Sequence, residues 1–209
     1  MTLDAEYWTL DTEMLSTYMI TGSSSTERVV AHVVRALDAG VARVQVRRKG
    51  AAAADIERLV QEVVSRRTDA RGKLLINDRL DVALATEVGG VHLPADGLDA
   101  EKVRCIAPRG FEIAVSVHDV DAARRAARAG ADFIVYGPVF PTRSKPGHPG
   151  VGGERLREVV SAVAIPVYAL GGITSDNVGL AARAGASGVA AIAAFESERS
   201  FQELMACLP

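Results

Sequence analysis

Thr142, Ser144 and Lys145 close the segment Gly137-Pro138-Val139-Phe140-Pro141-Thr142-Arg143-Ser144-Lys145, which follows the strand-like run 132–136. Hydroxyls and an ammonium this close together suit phosphate oxygens, because short donors and a positive charge can converge on one anion. Gly137, Pro138 and Pro141 stop the strand and stiffen the turn that would present them. A solvated polar loop is the plainer alternative, so the rest of the chain has to decide.

A second cationic group lies in Gln45-Val46-Arg47-Arg48-Lys49. Period-two alternation at a strand end sends Gln45, Arg47 and Lys49 to one side and Val46 and Arg48 to the other. A guanidinium and a lysine on one side could neutralise a diphosphate leaving group, although a solvated basic turn reads the same way. Ile76-Asn77-Asp78-Arg79 places a carboxylate directly after an apolar run. Next to cations and substrate phosphates it would suit magnesium, or it would simply cap a following helix. Gly171-Gly172 allows close approach of backbone N–H groups to phosphate, or only a tight turn. In Ser116-Val117-His118 the two polar side chains fall on the same side. His118 could act as an acid or base and Ser116 as a hydrogen-bond donor, whereas His92 and His148 read as structural or exposed.

The elements that must position these residues are βα units. Strand-like runs are expected at 15–20, 42–46, 73–76, 90–93, 112–115, 132–136, 166–170 and 188–192, alternating with helical patterns at 26–39, 52–68, 81–87, 100–106, 119–129, 154–162 and 175–184. The runs are apolar on both faces, as buried parallel strands require. Three helices end in similar phrases, Leu37-Asp38-Ala39-Gly40, Ala127-Arg128-Ala129-Gly130 and Ala182-Arg183-Ala184-Gly185, each glycine suiting a left-handed cap. Asp119 and Ser175 are expected as N-caps. Eight such units in 209 residues predict an α/β chain forming a single (β/α)8 TIM barrel over 1–209, with 1–12 as an N-terminal extension. The functional groups then share one face, at the carboxyl ends of the strands.

Composition narrows the partners. A net charge of -2 gives no general attraction to nucleic acid or an anionic membrane, so any phosphate site must be local. Cys105 and Cys207 are far apart and outside any CxxC spacing, which fits ordinary thiols in a cytoplasmic protein and neither a disulfide framework nor a zinc site. Asp4, Glu6, Asp11 and Glu13 precede the first apolar strand, the reverse of a signal peptide, and the uncharged run 159–175 is broken by Pro166 and Gly171-Gly172. A soluble protein acting on small molecules is expected. Ala-rich helix surfaces are compatible with a homodimer.

Taken in order, Gln45-x-Arg47-x-Lys49, Ile76-Asn77-Asp78-Arg79, Gly90-Val91-His92-Leu93, Val115-Ser116-x-His118, the segment from Gly137 to Lys145, Gly171-Gly172-Ile173 and Gly188-Val189-Ala190 resemble the thiamine-phosphate synthase superfamily over nearly the whole chain. A second branch of that superfamily contains thiazole tautomerase-like proteins. The resemblance implies a transferase of thiamine biosynthesis that joins hydroxymethylpyrimidine diphosphate to a thiazole phosphate (carboxylate), with Mg2+ as cofactor. It implies Gln45, Arg47, Lys49, Asn77, Ser116 and Lys145 around the pyrimidine diphosphate and Asp78 on the metal. Thr142, Ser144, Gly171 or Gly172 and the backbone at Ile192 and Ala193 would hold the thiazole phosphate. Diphosphate would leave first, and the thiazole nitrogen would trap the pyrimidine cation.

The chain departs from the synthase pattern in two places and from the tautomerase pattern in a third. The synthase sequence His-Leu-Gly-Gln-Glu-Asp, whose last carboxylate is a second magnesium ligand, is here His92-Leu93-Pro94-Ala95-Asp96-Gly97. Asp96 is thus a metal ligand displaced by one residue, which in extended chain would face the other way. The family's Val-Ser after the eighth strand is Ile192-Ala193, a lost hydroxyl worth about 0.5–1.5 kcal/mol. Pro138 stands where the tautomerase carries its histidine, and proline cannot move a proton. The alternatives to a synthase are an isomerase of the thiazole phosphate that uses His118, and a non-catalytic protein that sequesters a thiamine intermediate.

Overall fold

Each apolar run marked as a strand pairs in parallel with the next, and the last closes on the first. In the computed structural model, which describes residues 15–208, the order is β1 (Ser16–Ile20), β2 (Arg43–Val46), β3 (Leu74–Asn77), β4 (Gly90–Leu93), β5 (Glu112–Val117), β6 (Phe133–Tyr136), β7 (Val167–Leu170) and β8 (Gly188–Ala191), a closed barrel. Ser16 pairs with Gly188 at the seam. Between and after the strands run α1 (Thr26–Asp38), α2 (Ala53–Arg66), α3 (Leu80–Ala85), α4 (Ala100–Ile106), α5 (Val120–Arg128), α6 (Gly152–Ala162), α7 (Val178–Arg183) and α8 (Glu198–Met205). The expected (β/α)8 barrel is the architecture observed. The expected extension, 1–12, lies outside the described residues.

The three repeated helix endings work as expected. Gly40, Gly130 and Gly185 have φ of 88°, 85° and 87°. In each, the glycine N–H donates to the carbonyl three residues back and the next N–H to the carbonyl five back, as in Gly40 to Leu37 at 3.2 Å and Val41 to Ala36 at 3.0 Å. This paired closure satisfies the orphan carbonyls and turns the chain into the next strand. Asp119 caps α5 by accepting from Ala122 N at 2.6 Å.

Other boundaries differ. Ser175 is not an N-cap: α7 begins after Asn177, whose side chain accepts from Thr174 N at 2.9 Å and donates to Gly172 O at 2.7 Å. The helix expected to run to residue 68 ends at Arg66, and Thr68–Lys73 forms a 3-10 turn rich in polar residues. The eighth helix was not anticipated. Its signal is short, Ser197 accepting from Ser200 N and Phe201 and Leu204 buried three residues apart.

Two apolar layers flank the strands. The outer one packs helix stripes such as Val29, Val30, Val33 and Leu37 of α1 against the barrel wall. Inside the barrel, Tyr18, Leu75, Phe133, Val135 and Tyr168 form a separate column. Below it, Arg43 holds both Glu112 carboxylate oxygens, at 2.6–3.1 Å, donates to the Tyr168 hydroxyl at 3.1 Å and lies 5.3 Å from the Phe133 ring centroid. This ion pair plugs the amino-terminal end of the barrel. The open end is therefore the carboxyl one, where the sequence places the reactive groups.

Candidate active site

A cavity of about 840 Å³ opens among the strand carboxyl ends. Gln45, Arg47, Lys49, Asn77, Asp78, Asp96, Ser116, Ser144 and Lys145, all singled out from the sequence, line it together with Ile192. Apolar Ile20 and Leu170 line the same space. Five cations border it, Arg47, Arg48, Lys49, Arg79 and Lys145, against two carboxylates, Asp78 and Asp96. Arg79 is paired with Asp81 at 2.5 Å, which leaves a positive excess to attract an anion although the whole chain is slightly negative.

Local structure fixes these groups. Thr21, buried past the end of β1, extends the ladder by donating its N–H to Gln45 O at 3.0 Å. Its hydroxyl oxygen accepts from Arg47 N at 2.8 Å and its proton goes to Arg47 O at 3.2 Å, so both backbone groups of Arg47 are held. Asp78 N donates to His92 O at 2.9 Å, after which the chain turns sharply with Asp78 at φ 64°. An aspartate tolerates this left-handed conformation better than most residues, yet it still carries strain of about 1–3 kcal/mol, a cost concentrated at functional positions. α3 starts from Arg79 without a side-chain cap, so the capping alternative for Asp78 is not what the structure shows.

A turn brings Asp96 to the cavity. Gly97 N donates to Pro94 O at 3.0 Å, closing a tight turn that directs Asp96 into the cavity. A Cβ on Gly97 would lie 2.7 Å from Pro94 Cδ, so the proline and the glycine belong together and a carboxylate at position 97 would not fit this turn.

The segment that opened the sequence reading is fastened to β7. Val139 N donates to Leu170 O at 2.8 Å and Phe140 N to Gly171 O at 3.0 Å. Gly171 and Gly172, at φ 101° and 66°, are required there because a Cβ would strike Pro138 in the first case and Pro141 O in the second. The peptide Gly137-Pro138 is cis. Thr142 Oγ1 and Ser144 Oγ lie 3.1 Å apart, and Lys145 N donates to Thr142 O at 3.2 Å, folding the loop so that Ser144 and Lys145 reach the cavity.

Some expected residues are not among those lining the cavity: His118, Thr142, Gly171, Gly172 and Ala193. His118 is exposed, and its Nδ1–H donates to Gly137 O at 2.8 Å. The alternation that was to aim it inward ends with β5 at Val117. Conversely, Arg48 lines the cavity although alternation sent it away, because β2 ends at Val46; it also donates to Ser24 O. Ala193 begins a 3-10 turn, Ala193–Phe195.

His92, read from sequence as structural or exposed, is buried and central. Its Nδ1 lies 3.0 Å from the Tyr18 hydroxyl and its Nε2 2.8 Å from Ser116 Oγ. Burial, with a smaller contribution from Arg47, pushes its pKa down to about 3. Because the folded pKa lies below the ordinary value, this stabilisation is complete above about pH 6.5 and is lost as pH falls towards 3. Denaturant titrations should show wild-type stability dropping over that window by a few kcal/mol, on the order of one pKa unit per 1.4 kcal/mol. His92→Asn should lack this component; an equal pH slope in both proteins would contradict it.

Fold and site together are those of a (β/α)8 barrel with a cation-rich cavity at its carboxyl face. The family described as thiamine monophosphate synthase matches residues 17–195. The thiamine-phosphate synthase of Methanospirillum hungatei is 40% identical over 177 residues, 81% of this chain and 86% of that protein. A putative thiamine-phosphate synthase of Geobacter sulfurreducens is 41% identical over 203 residues, 93% of this chain and 94% of its own. Among solved structures, the thiamine phosphate pyrophosphorylase of Pyrococcus furiosus superposes with a TM-score of 0.79 at 33% identity, covering 93% of this chain and 96% of that one. The chain belongs to the thiamine monophosphate synthase family, as its motifs implied.

Proposed function

We propose that thiamine-phosphate synthesis, the activity of this family, proceeds here as a magnesium-dependent transfer of the pyrimidine methylene from diphosphate oxygen to thiazole nitrogen. The observation that carries this reading is the convergence of Arg47, Lys49 and Lys145 with Asp78 and Asp96 on one cavity. An isomerase has no diphosphate to neutralise, and His118, the residue that reading needed, is turned to Gly137 O.

Magnesium fits the donor set. Among the described residues no group of three His, Cys, Asp or Glu could hold a metal. Magnesium commonly takes only one or two carboxylates and completes its shell with phosphate oxygens and water. Asp78 and Asp96 would hold it, and its charge would offset that building on the diphosphate.

In the reaction, Gln45, Asn77 and Ser116 orient the pyrimidine diphosphate, while Arg47, Lys49 and Lys145 stabilise the charge that grows as its C–O bond breaks. Ile20 and Leu170 supply an apolar wall to the cavity where the ring-stabilised cation forms. Ser144 and the backbone at Ile192, which border the cavity, hold the thiazole phosphate, placing its nitrogen to form the new C–N bond. Pyrophosphate leaves, and a carboxylated thiazole also releases carbon dioxide.

The partners are therefore small molecules. No described helix is long and apolar enough to cross a membrane. The test is formation of thiamine phosphate from both substrates with magnesium, its loss with EDTA and its return on adding the ion. Undiminished synthesis in EDTA would overturn the metal requirement.

A further inference from the structure

His92 borders the cavity and joins the interior column to Ser116. The chain of contacts has a direction. The Tyr18 phenol, whose oxygen lone pair is drawn into the ring, is a better hydrogen-bond donor than acceptor. Burial keeps that phenol protonated. Tyr18 therefore gives its proton to the partner 3.0 Å away, His92 Nδ1. The neutral imidazole then carries its proton on Nε2, which donates to Ser116 Oγ at 2.8 Å. The serine oxygen is supplied from behind, so its O–H is left to donate into the cavity.

We propose that His92 is a positioning residue, set in its Nε2–H tautomer by Tyr18, that fixes Ser116 as an outward hydrogen-bond donor to the diphosphate. Phosphate oxygens only accept, so they match a serine whose O–H is free to donate. Without this arrangement the hydroxyl would rotate freely among orientations. The assignment of the diphosphate as acceptor rests on the proposed coupling reaction, whereas the direction of the relay does not.

Tyr18→Phe is the mild probe, because the ring stays packed against Phe133 and Tyr168 and only the hydroxyl is lost. Nitrogen-15 NMR of histidine-labelled wild-type protein should show His92 neutral and protonated at Nε2; protonation at Nδ1 would overturn the relay. Calorimetric binding of inorganic pyrophosphate with magnesium should weaken about tenfold in Ser116→Ala, the usual loss for a hydrogen bond to a charged group. Tyr18→Phe should weaken it about three- to tenfold, and the double variant should bind no worse than Ser116→Ala. Additive losses, unchanged affinity in Tyr18→Phe, or no pyrophosphate binding by the wild type would each overturn the role. A failure to make thiamine phosphate with these results intact would sink the coupling reaction and leave the positioning role standing.

Discussion

Lys145→Ala should slow coupling by about 10²–10³-fold, the range seen when one preorganised donor to a developing charge is removed. Lys145 is carried on a loop zipped to β7 through Val139 and Phe140, opposite the Arg47 and Lys49 group on the loop after β2. Loss of the ammonium leaves that scaffold in place and removes charge from the side of the cavity that Arg47 does not cover. Binding of thiazole phosphate, measured by calorimetry in the absence of the pyrimidine, should change by less than about threefold, because its donors are neutral groups of the same loop and the neighbouring backbone. Equal losses in coupling rate and thiazole phosphate affinity would contradict the assignment of Lys145 to the diphosphate.

Asp78→Asn should have an effect of similar or greater size, expressed differently. Asparagine accepts a φ of 64° as readily as aspartate, so the kink after β3 is preserved and only the charge is removed. Apparent magnesium affinity in the coupling assay should fall more than about 100-fold, since even partners behind a metal ligand cost about 10–100-fold. Asp96→Asn should reduce it less, since the ligand sits on the Pro94–Gly97 turn rather than at a strand end. Raised magnesium should partly rescue both. An Asp78→Asn enzyme with wild-type magnesium dependence would remove this residue from the metal.

What was legible in the sequence followed from local regularity. Parallel strands buried on both faces read as apolar runs, and the glycine closures after α1, α5 and α7 repeated one phrase, so barrel and strand order came through. Alternation placed Gln45 and Ser116 correctly because both lie within a strand, and it held for Arg47, one residue past β2, because Thr21 ties both its backbone groups. It failed for Arg48 and His118, which lie beyond the last ladder pair, where turns decide direction. Gly171-Gly172 was recognised as a place of close approach, but the approaching group is the chain's own Pro138, Phe140 and Pro141. That fact depends on β6 and β7 being neighbours. The relay from Tyr18 through His92 to Ser116 spans β1, β4 and β5, and the Arg43–Glu112 plug spans β2 and β5; no local pattern contains such pairings. A polar residue at an inward strand position was the available sign, present at both His92 and Arg43.

The central claim is that this cavity exchanges a C–O bond to diphosphate for a C–N bond to thiazole. The most direct measurement follows pyrophosphate and thiamine phosphate in one reaction containing purified protein, both substrates and magnesium. The two products should rise together in equal amounts, with neither formed when one substrate is omitted. Conversion of the thiazole substrate without consumption of the pyrimidine diphosphate, or tight binding of either substrate with no product at high protein concentration, would contradict it.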